Sequence, residues 1–255
     1  MSHHFPPPPT PYPHSTVPLS LGDPTVFGNL PPSSILAEAA ASAATSAKYN
    51  GYVNACGTQD ARVAISAYHS TPECTFAPDD VVVASGCSGA LELALTALLD
   101  PGTNLLVPAP GFPLYEVIAN SHGAGVKPYR LDPNTGWECD LADIESQVRS
   151  DEERSDSNKP PTTFHSSLRS SQVDENTRGV LINNPSNPCG SVFSEAHLGD
   201  IIRLAAKLRL PIIADEVYGG MTFGDVEYVP LSLVSARLGG IGEARQGRGI
   251  HSADS

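Results

Sequence analysis

The chain has 255 residues, of which 40% are hydrophobic and 17% charged, a composition typical of globular proteins. Its 28 acidic and 15 basic residues give a net charge of −13. This excess argues against a nucleic-acid or anionic-membrane partner, because both require clustered Lys and Arg. The sequence shows neither an apolar run of membrane-spanning length nor a basic stretch followed by an apolar core. We therefore expect no membrane segment and no secretory signal.

The five cysteines are scattered, without the short spacing of a zinc site or a disulfide framework: Cys56, Cys74, Cys87, Cys139 and Cys189. An odd and dispersed set favours reduced thiols and therefore a cytoplasmic protein. The eight histidines show no HExxH pattern, so we expect no metal site.

The N-terminal part is divided into an arm and a helical segment. Residues 1–18 include seven prolines, four of them consecutive, which predicts a disordered arm. Residues 19–70 are expected to form a further arm and the helices of a partial small domain. One helix is predicted from Ser33, and Thr58 can cap a second.

Short apolar strands then alternate with helices. The strand-like runs are VVVA at 81–84, NLLV at 104–107, VKPYRL at 126–131, VLIN at 180–183 and PIIAD at 211–215. Helical patterns lie between them at 89–99, 113–122 and 194–208. This alternation predicts an α/β domain with a mainly parallel sheet over residues 71–235. Polar residues 150–178 predict a flexible insertion within it, and residues 236–255 predict a disordered tail.

The segment NNPSNPCG, residues 183–190, directly follows the strand VLIN. Two Asn-Pro pairs force an irregular turn at the carboxyl end of that strand. Ligands of open α/β sheets bind at this edge, although a rigid turn without a ligand is an alternative.

The segment ADEVYGGMTF, residues 214–223, also follows an apolar strand. Asp215 ends that strand and needs a partner if it is buried, such as a protonated ring nitrogen. Tyr218 could place a hydroxyl nearby. The alternatives are a helix-capping Asp and an Asp-Glu pair that faces solvent.

The segment ASGCSGALE, residues 84–92, joins a predicted strand to a helix. Its small residues allow backbone amides to approach one anion at a helix N-terminus, as in a phosphate site. Similar turns are also common without a ligand.

Together with VPAPGFPLYE and GDPTVFGNLP, these segments strongly resemble class I aminotransferases of fold type I, and their tyrosine aminotransferase branch in particular. The resemblance runs from about Leu19 to Leu233. It implies the three-layer pyridoxal-phosphate transferase fold, with an incomplete large domain and a partial small domain. It also implies a homodimer that transfers an amino group from tyrosine, or another aromatic amino acid, to 2-oxoglutarate.

The resemblance assigns roles around the ring of pyridoxal phosphate. Asp215 would pair with the pyridine nitrogen, which strengthens the ring as an electron sink. Asn187 and Tyr218 would bind its phenolic oxygen, and Phe112 would stack on its face.

The resemblance further implies that Gly86, Cys87 and Ser88 bind the phosphate group. Tyr52 would reach the phosphate in the partner subunit's site. Gly22 would lie where the backbone approaches the substrate carboxylate.

The resemblance also implies a Schiff-base lysine after the strand-ending aspartate. The four lysines all precede Asp215 in the sequence: Lys48, Lys127, Lys159 and Lys207. We therefore expect a truncated chain that does not catalyse transamination by itself. A non-catalytic truncated product is an open alternative.

Two other enzyme classes have partial support. Residues 86–90 approach the nucleophile elbow of a serine hydrolase, with Ser88 as nucleophile and Asp215 and His251 in the right chain order. This alternative lacks an HGGG-type segment and leaves NNPSNPCG unexplained. A nucleotide hydrolase is disfavoured, because the chain contains neither GxxxxGKS nor GxxxxGKT.

Overall fold

The computed structural model describes residues 31–148 and 176–239. The chain divides into two compact units, Met1–Val53 and Asn54–Ser255. In the described part of the first unit, one helix, α1 (Ser34–Ser46), has no buried residue. The predicted arm over residues 1–18 lies outside the described residues, as do most of the predicted insertion and most of the predicted tail.

Within the described ranges, a five-stranded sheet forms the centre of the second unit. Its strands are β1 (Asn104–Ala109), β2 (Gly125–Asp132), β3 (Glu138–Cys139), β4 (Thr177–Asn183) and β5 (Ile212–Asp215). Their order is β3-β2-β1-β4-β5. The β1–β2, β1–β4 and β4–β5 pairs are parallel, and β3 is antiparallel to β2. This topology confirms the predicted α/β class with a mainly parallel sheet.

The described residues of the second unit form six helices in addition to this sheet. They are α2 (Gln59–His69), α3 (Gly86–Leu98), α4 (Leu114–Ser121), α5 (Leu141–Gln147), α6 (Glu195–Leu208) and α7 (Leu231–Arg237). As predicted, the Thr58 hydroxyl caps α2 by accepting the Ala61 N–H at 3.4 Å. Ser194 likewise accepts the His197 N–H and begins α6. No helix in the described ranges is long and apolar enough to cross a bilayer.

The core has two layers, one on each face of the sheet. Neighbouring residues of a strand point to opposite faces, so Leu105 and Leu106 of β1 belong to different clusters. Leu106 packs with residues from α5, α6 and α7. Leu105 packs with residues from α3 and α4. Helices on both faces of a parallel sheet give the predicted three-layer arrangement.

The strand predicted at residues 81–84 is absent. The segment follows a 3-10 turn at Pro78–Asp80 and continues as irregular chain, with Val82 57% exposed and Val83 38% exposed. A strand requires a neighbouring strand that exchanges backbone hydrogen bonds with it along its length. The Val83 N–H instead donates to the Cys56 carbonyl in a loop, at 2.9 Å.

Two predicted boundaries differ from the observed ones. Residues 177 and 178, assigned to the flexible insertion, lie in β4, where the Thr177 hydroxyl donates to the Asn104 side chain at 2.7 Å. Arg237, assigned to the disordered tail, ends α7 and contacts the carboxylates of Glu73 and Glu195. The division between the compact units falls at residues 53/54, so α2 lies in the second unit; the domain limits 19–70 and 71–235 stay predictions.

Acidification is expected to destabilise the second unit through His197 of α6. Its Nε2 accepts the Cys139 N–H at 3.0 Å, which a protonated ring cannot do. Burial lowers the pKa of His197 below its ordinary value of 6.5, while the nearby carboxylates of Glu138 and Asp200 oppose that shift. The unfolded chain therefore binds the proton more readily. The stability contribution is complete above pH 6.5 and is lost as the pH falls from there towards the lower folded pKa.

The free energy of unfolding, measured by urea titration from pH 7.5 to pH 5, checks this prediction. His197→Gln should lose stability less steeply than the wild type below about pH 6.5. Equal slopes for the wild type and His197→Gln would contradict the prediction.

Candidate functional site

A cavity of about 180 Å³ lies at the carboxyl ends of β4 and β5 and the first turn of α3. Six residues predicted from the sequence line it: Cys87, Ser88, Phe112, Asn187, Asp215 and Tyr218. Leu91, Tyr115, Asn183 and Val217 complete the lining. The structure therefore brings together residues that are up to 131 positions apart in the chain (Cys87 to Tyr218).

The parallel pairing of β4 and β5 joins the two polar turns. The strands end in register, with Asn183 opposite Asp215. The Asp215 carbonyl accepts the Asn184 N–H at 3.0 Å and the Asn183 side-chain amide at 3.2 Å. The Asn183 carbonyl oxygen Oδ1 accepts the Asn187 N–H at 2.6 Å. These bonds hold the turn that carries Asn187 against the end of β5.

The Asp215 carboxylate is buried, with 5% of the residue exposed. Its Oδ2 accepts the Tyr115 hydroxyl at 2.8 Å. Its Oδ1 accepts the Val217 N–H at 3.3 Å and faces the Cys87 thiol at 3.5 Å. A turn rather than a helix follows β5. Asp215 is therefore neither a helix cap nor part of a solvent-facing pair, which removes both alternatives considered from the sequence.

The two side-chain donors to Asp215 both remain protonated at neutral pH. Burial, reinforced by the Asp215 carboxylate, raises the pKa of the Cys87 thiol to about 11. Burial and the bond to Asp215 also raise the pKa of the Tyr115 hydroxyl far above its ordinary value of 10.0. Each group can therefore donate to the carboxylate rather than compete with it for a proton.

The first turn of α3 borders the cavity with Cys87 and Ser88. Gly86 opens the helix with φ +69°, a left-handed conformation that disfavours any other residue. The Ser85 side chain makes no capping bond. The N–H groups of a first helical turn lack intrahelical acceptors, and an anion can accept from them.

Aromatic side chains form part of the cavity wall. Phe112 and Tyr218 are each 38% exposed. Phe112 meets the Tyr115 ring edge-to-face, with centroids 5.9 Å apart and an interplanar angle of 79°. An aromatic ligand could therefore contact Phe112 while the buried Tyr115 ring supports it from within.

Gly86 precedes the lining residue Cys87 but is not itself in the lining, and two further predicted residues cannot be placed at this cavity. Tyr52 lies in the first unit, where its side chain is exposed. Gly22 lies outside the described residues. The roles of both stay predictions.

Sequence reasoning gave no role to Tyr115 or Asn183. Tyr115 lies in the quoted segment VPAPGFPLYE, three residues after Phe112, and Asn183 is the last residue of the strand VLIN. Both therefore lie within recognised segments. The signal that could have identified Asn183 is its position at a strand end, the same criterion that identified Asp215.

The described lysines of the second unit form contacts away from the cavity. Lys127 donates to the Gln147 carbonyl at 3.1 Å, and Lys207 pairs with Glu145 at 2.8 Å. No histidine is among the cavity residues in the described ranges, and His251 of the hydrolase alternative lies outside them.

The donor set fits pyridoxal phosphate. A buried carboxylate suits a protonated ring nitrogen, and an aromatic wall suits the ring face. Asn187 and Tyr218 supply donors, and the first turn of α3 suits a phosphate.

Residues 15–241 match the family model of the class I and II aminotransferases. Tyrosine aminotransferase from Bos taurus is 42% identical over 229 residues, which cover 89% of this chain and 46% of that protein. The human tyrosine aminotransferase is 43% identical over 226 residues, which cover 88% of this chain and 44% of that protein. The chain thus spans about half the length of these relatives.

Among solved structures, tyrosine aminotransferase from Leishmania infantum superposes with a TM-score of 0.70 at 35% identity. The match covers 84% of this chain and 53% of that one. The family match, the topology and the residues around the cavity agree. The chain belongs to the class I and II aminotransferases, whose cofactor is pyridoxal phosphate, and within them it is similar to the tyrosine aminotransferases.

Proposed function

We propose that the second unit is the cofactor-binding part of an aminotransferase that acts on tyrosine or another aromatic amino acid, with 2-oxoglutarate as amino acceptor. The observation that carries this proposal is the buried Asp215 carboxylate at the end of β5, in a cavity shared with Phe112, Tyr218 and the start of α3. Pyridoxal phosphate, when bound, supplies an electron sink for charge that develops on the substrate's α-carbon.

Around the cofactor ring, the chain's own residues bind and orient. Asp215 holds the proton on the pyridine nitrogen through a buried charge pair. Asn187 and Tyr218 donate hydrogen bonds to the phenolic oxygen. Phe112 covers one face of the ring, which contributes about 0.5–1.5 kcal/mol beyond the area that it buries. The support is that all four side chains line one cavity.

At the phosphate, the Cys87 amide and the Ser88 hydroxyl donate to the anion, and Gly86 also donates once its N–H leaves the Ala84 carbonyl, which it contacts at 3.0 Å. The positive end of the α3 dipole adds to this attraction. The left-handed backbone at Gly86 supports the assignment, because it sets the direction in which the helix begins.

Beyond the cavity, we propose a cytoplasmic homodimer in which Tyr52 reaches the phosphate in the partner subunit's site. Gly22 approaches the substrate carboxylate. Residues 19–70 belong to the small domain and residues 71–235 to the large one. These assignments follow from the family resemblance, and the free thiols among the described residues fit a reducing compartment.

The proposed function is tested by titrating the purified 255-residue polypeptide with pyridoxal phosphate in equilibrium dialysis. Saturable binding to one site is expected. It should be reversible, because neither described lysine of the second unit lines the cavity. Borohydride should therefore leave no stoichiometrically labelled lysine.

Pyridoxal without the phosphate is the matched control ligand and should bind more weakly. Absence of saturable binding would contradict the proposed cofactor site. Stoichiometric reduction onto Lys127 or Lys207 would contradict its geometry. Labelling of Ser88 by a fluorophosphonate probe would instead support the hydrolase alternative.

A further inference from the structure

Tyr115 contributes a buried hydrogen bond that the cofactor contacts described above do not include. Its hydroxyl donates to Asp215 Oδ2 at 2.8 Å from a residue 100 positions away in the chain. We propose that Tyr115 is a positioning residue, which holds the Asp215 carboxylate in the orientation that receives the ring nitrogen. This inference rests on the proposed function, because it assumes that Asp215 faces that nitrogen.

The carboxylate has a limited number of acceptor sites. Two oxygens offer about four lone-pair directions. Val217 N–H and the Cys87 thiol approach Oδ1, and Tyr115 occupies one direction on Oδ2. With these three donors in place, the carboxylate is kept from rotating, and acceptor capacity remains on Oδ2 for the cofactor.

Tyr115 is itself held rigidly. It is 1% exposed and packs in the core layer formed by α3, α4 and one face of the sheet. Its ring also meets the Phe112 ring edge-to-face. Because this packing fixes the Tyr115 hydroxyl, its hydrogen bond also fixes the orientation of the Asp215 carboxylate. The position of α4 therefore determines that orientation.

The hydroxyl also remains a donor throughout the neutral range. Burial and the bond to Asp215 raise the pKa of Tyr115 far above its ordinary value, so no phenolate forms beside the carboxylate. Removing the hydroxyl leaves one side of a buried carboxylate without its donor. The carboxylate can then turn away from the direction that the ring nitrogen requires.

The experiment compares two ligands in two variants of the full 255-residue chain. The ligands are pyridoxal phosphate and 1-deaza-pyridoxal phosphate, which has a carbon in place of the ring nitrogen. The variants are Tyr115→Phe and Tyr129→Phe. Tyr129 is the matched control, because it is also 1% exposed but donates to the Leu181 carbonyl at 2.8 Å. Dissociation constants are measured by equilibrium dialysis, and circular dichroism verifies folding.

If the proposal is correct, Tyr115→Phe weakens pyridoxal phosphate binding by about 10-fold or more, the effect of losing one hydrogen bond to a charged group. It leaves the affinity for the deaza analogue unchanged within about 2-fold. Tyr129→Phe changes neither affinity by more than that. If Tyr115 had a purely structural role, its replacement would weaken the binding of both ligands equally. An equal loss of affinity for the two ligands therefore overturns the proposal.

The wild-type chain separates this outcome from failure of the proposed function. If Asp215 faces the ring nitrogen, the wild type binds pyridoxal phosphate more tightly than the deaza analogue. Equal wild-type affinities, or no binding of either ligand, would overturn the assignment of Asp215 and the role of Tyr115 with it. A wild-type preference that persists unchanged in Tyr115→Phe overturns the positioning role alone.

Discussion

Replacement of Asp215 by Ala is expected to abolish measurable binding of pyridoxal phosphate, with a loss of affinity of about 100-fold or more. Breaking a buried ion pair by removing one partner costs about 3–5 kcal/mol, and about 1.4 kcal/mol corresponds to a factor of ten. Asp215 is 5% exposed, so water screens such a pair only weakly. Equilibrium dialysis of the variant against the cofactor measures the loss.

The alanine substitution also leaves the Tyr115 hydroxyl and the Cys87 thiol without their acceptor. Asp215→Asn therefore serves as a second variant, because an amide keeps the size and one acceptor oxygen but not the charge. It should lose affinity while unfolding at nearly the wild-type denaturant concentration. Asp225→Ala, an exposed position in the following loop, should bind like the wild type. An unchanged dissociation constant in both Asp215 variants would remove the cofactor assignment.

A polypeptide of these 255 residues is expected to transfer amino groups at least about 10²–10⁴-fold more slowly than related aminotransferases, the contribution of a positioned proton-transfer group. The family resemblance implies a lysine after the strand-ending aspartate for this role. All four lysines precede Asp215 in the sequence. Lys127 and Lys207 are held by Gln147 and Glu145, away from the cavity.

The rate is measured by incubating the purified polypeptide with pyridoxal phosphate, tyrosine and 2-oxoglutarate and following 4-hydroxyphenylpyruvate. A mixture without polypeptide gives the background of the free cofactor. The expected rate is close to that background. Turnover in the ordinary enzymatic range, roughly 1–10³ per second, would show that a residue of this chain performs the proton transfer.

The long, periodic elements of the second unit were predictable from local pattern. In α6, Leu198, Ile201 and Ile202 recur on one face, and all three are buried against the sheet. Strands β1 and β4 are apolar runs that are buried on both faces of the sheet, whereas the edge strand β5 is only partly buried. In both cases the sequence pattern and the tertiary environment favour the same structure.

The segments that the sequence did not predict correctly depend on a neighbour. Residues 81–84 have strong β propensity, but no strand in the described ranges pairs with them, so the ladder does not form. β3 and α5 are too short for periodicity to be visible, at 2 and 7 residues. Their conformations come from pairing with β2 and packing against α6, which no local pattern encodes.

The sequence by itself determined the fold class and most of the cavity residues. Asp215 ends β5, Asn187 and Tyr218 lie in the turns after β4 and β5, and the family resemblance of these segments identified all three without coordinates. Only the tertiary structure decided how Asp215 is held. Its bond with Tyr115 joins residues 100 positions apart, and it exists because the packing of α4 places that hydroxyl beside the end of β5. Local periodicity reports which face of an element is buried, whereas a hydrogen bond between distant elements depends on sheet order and helix packing.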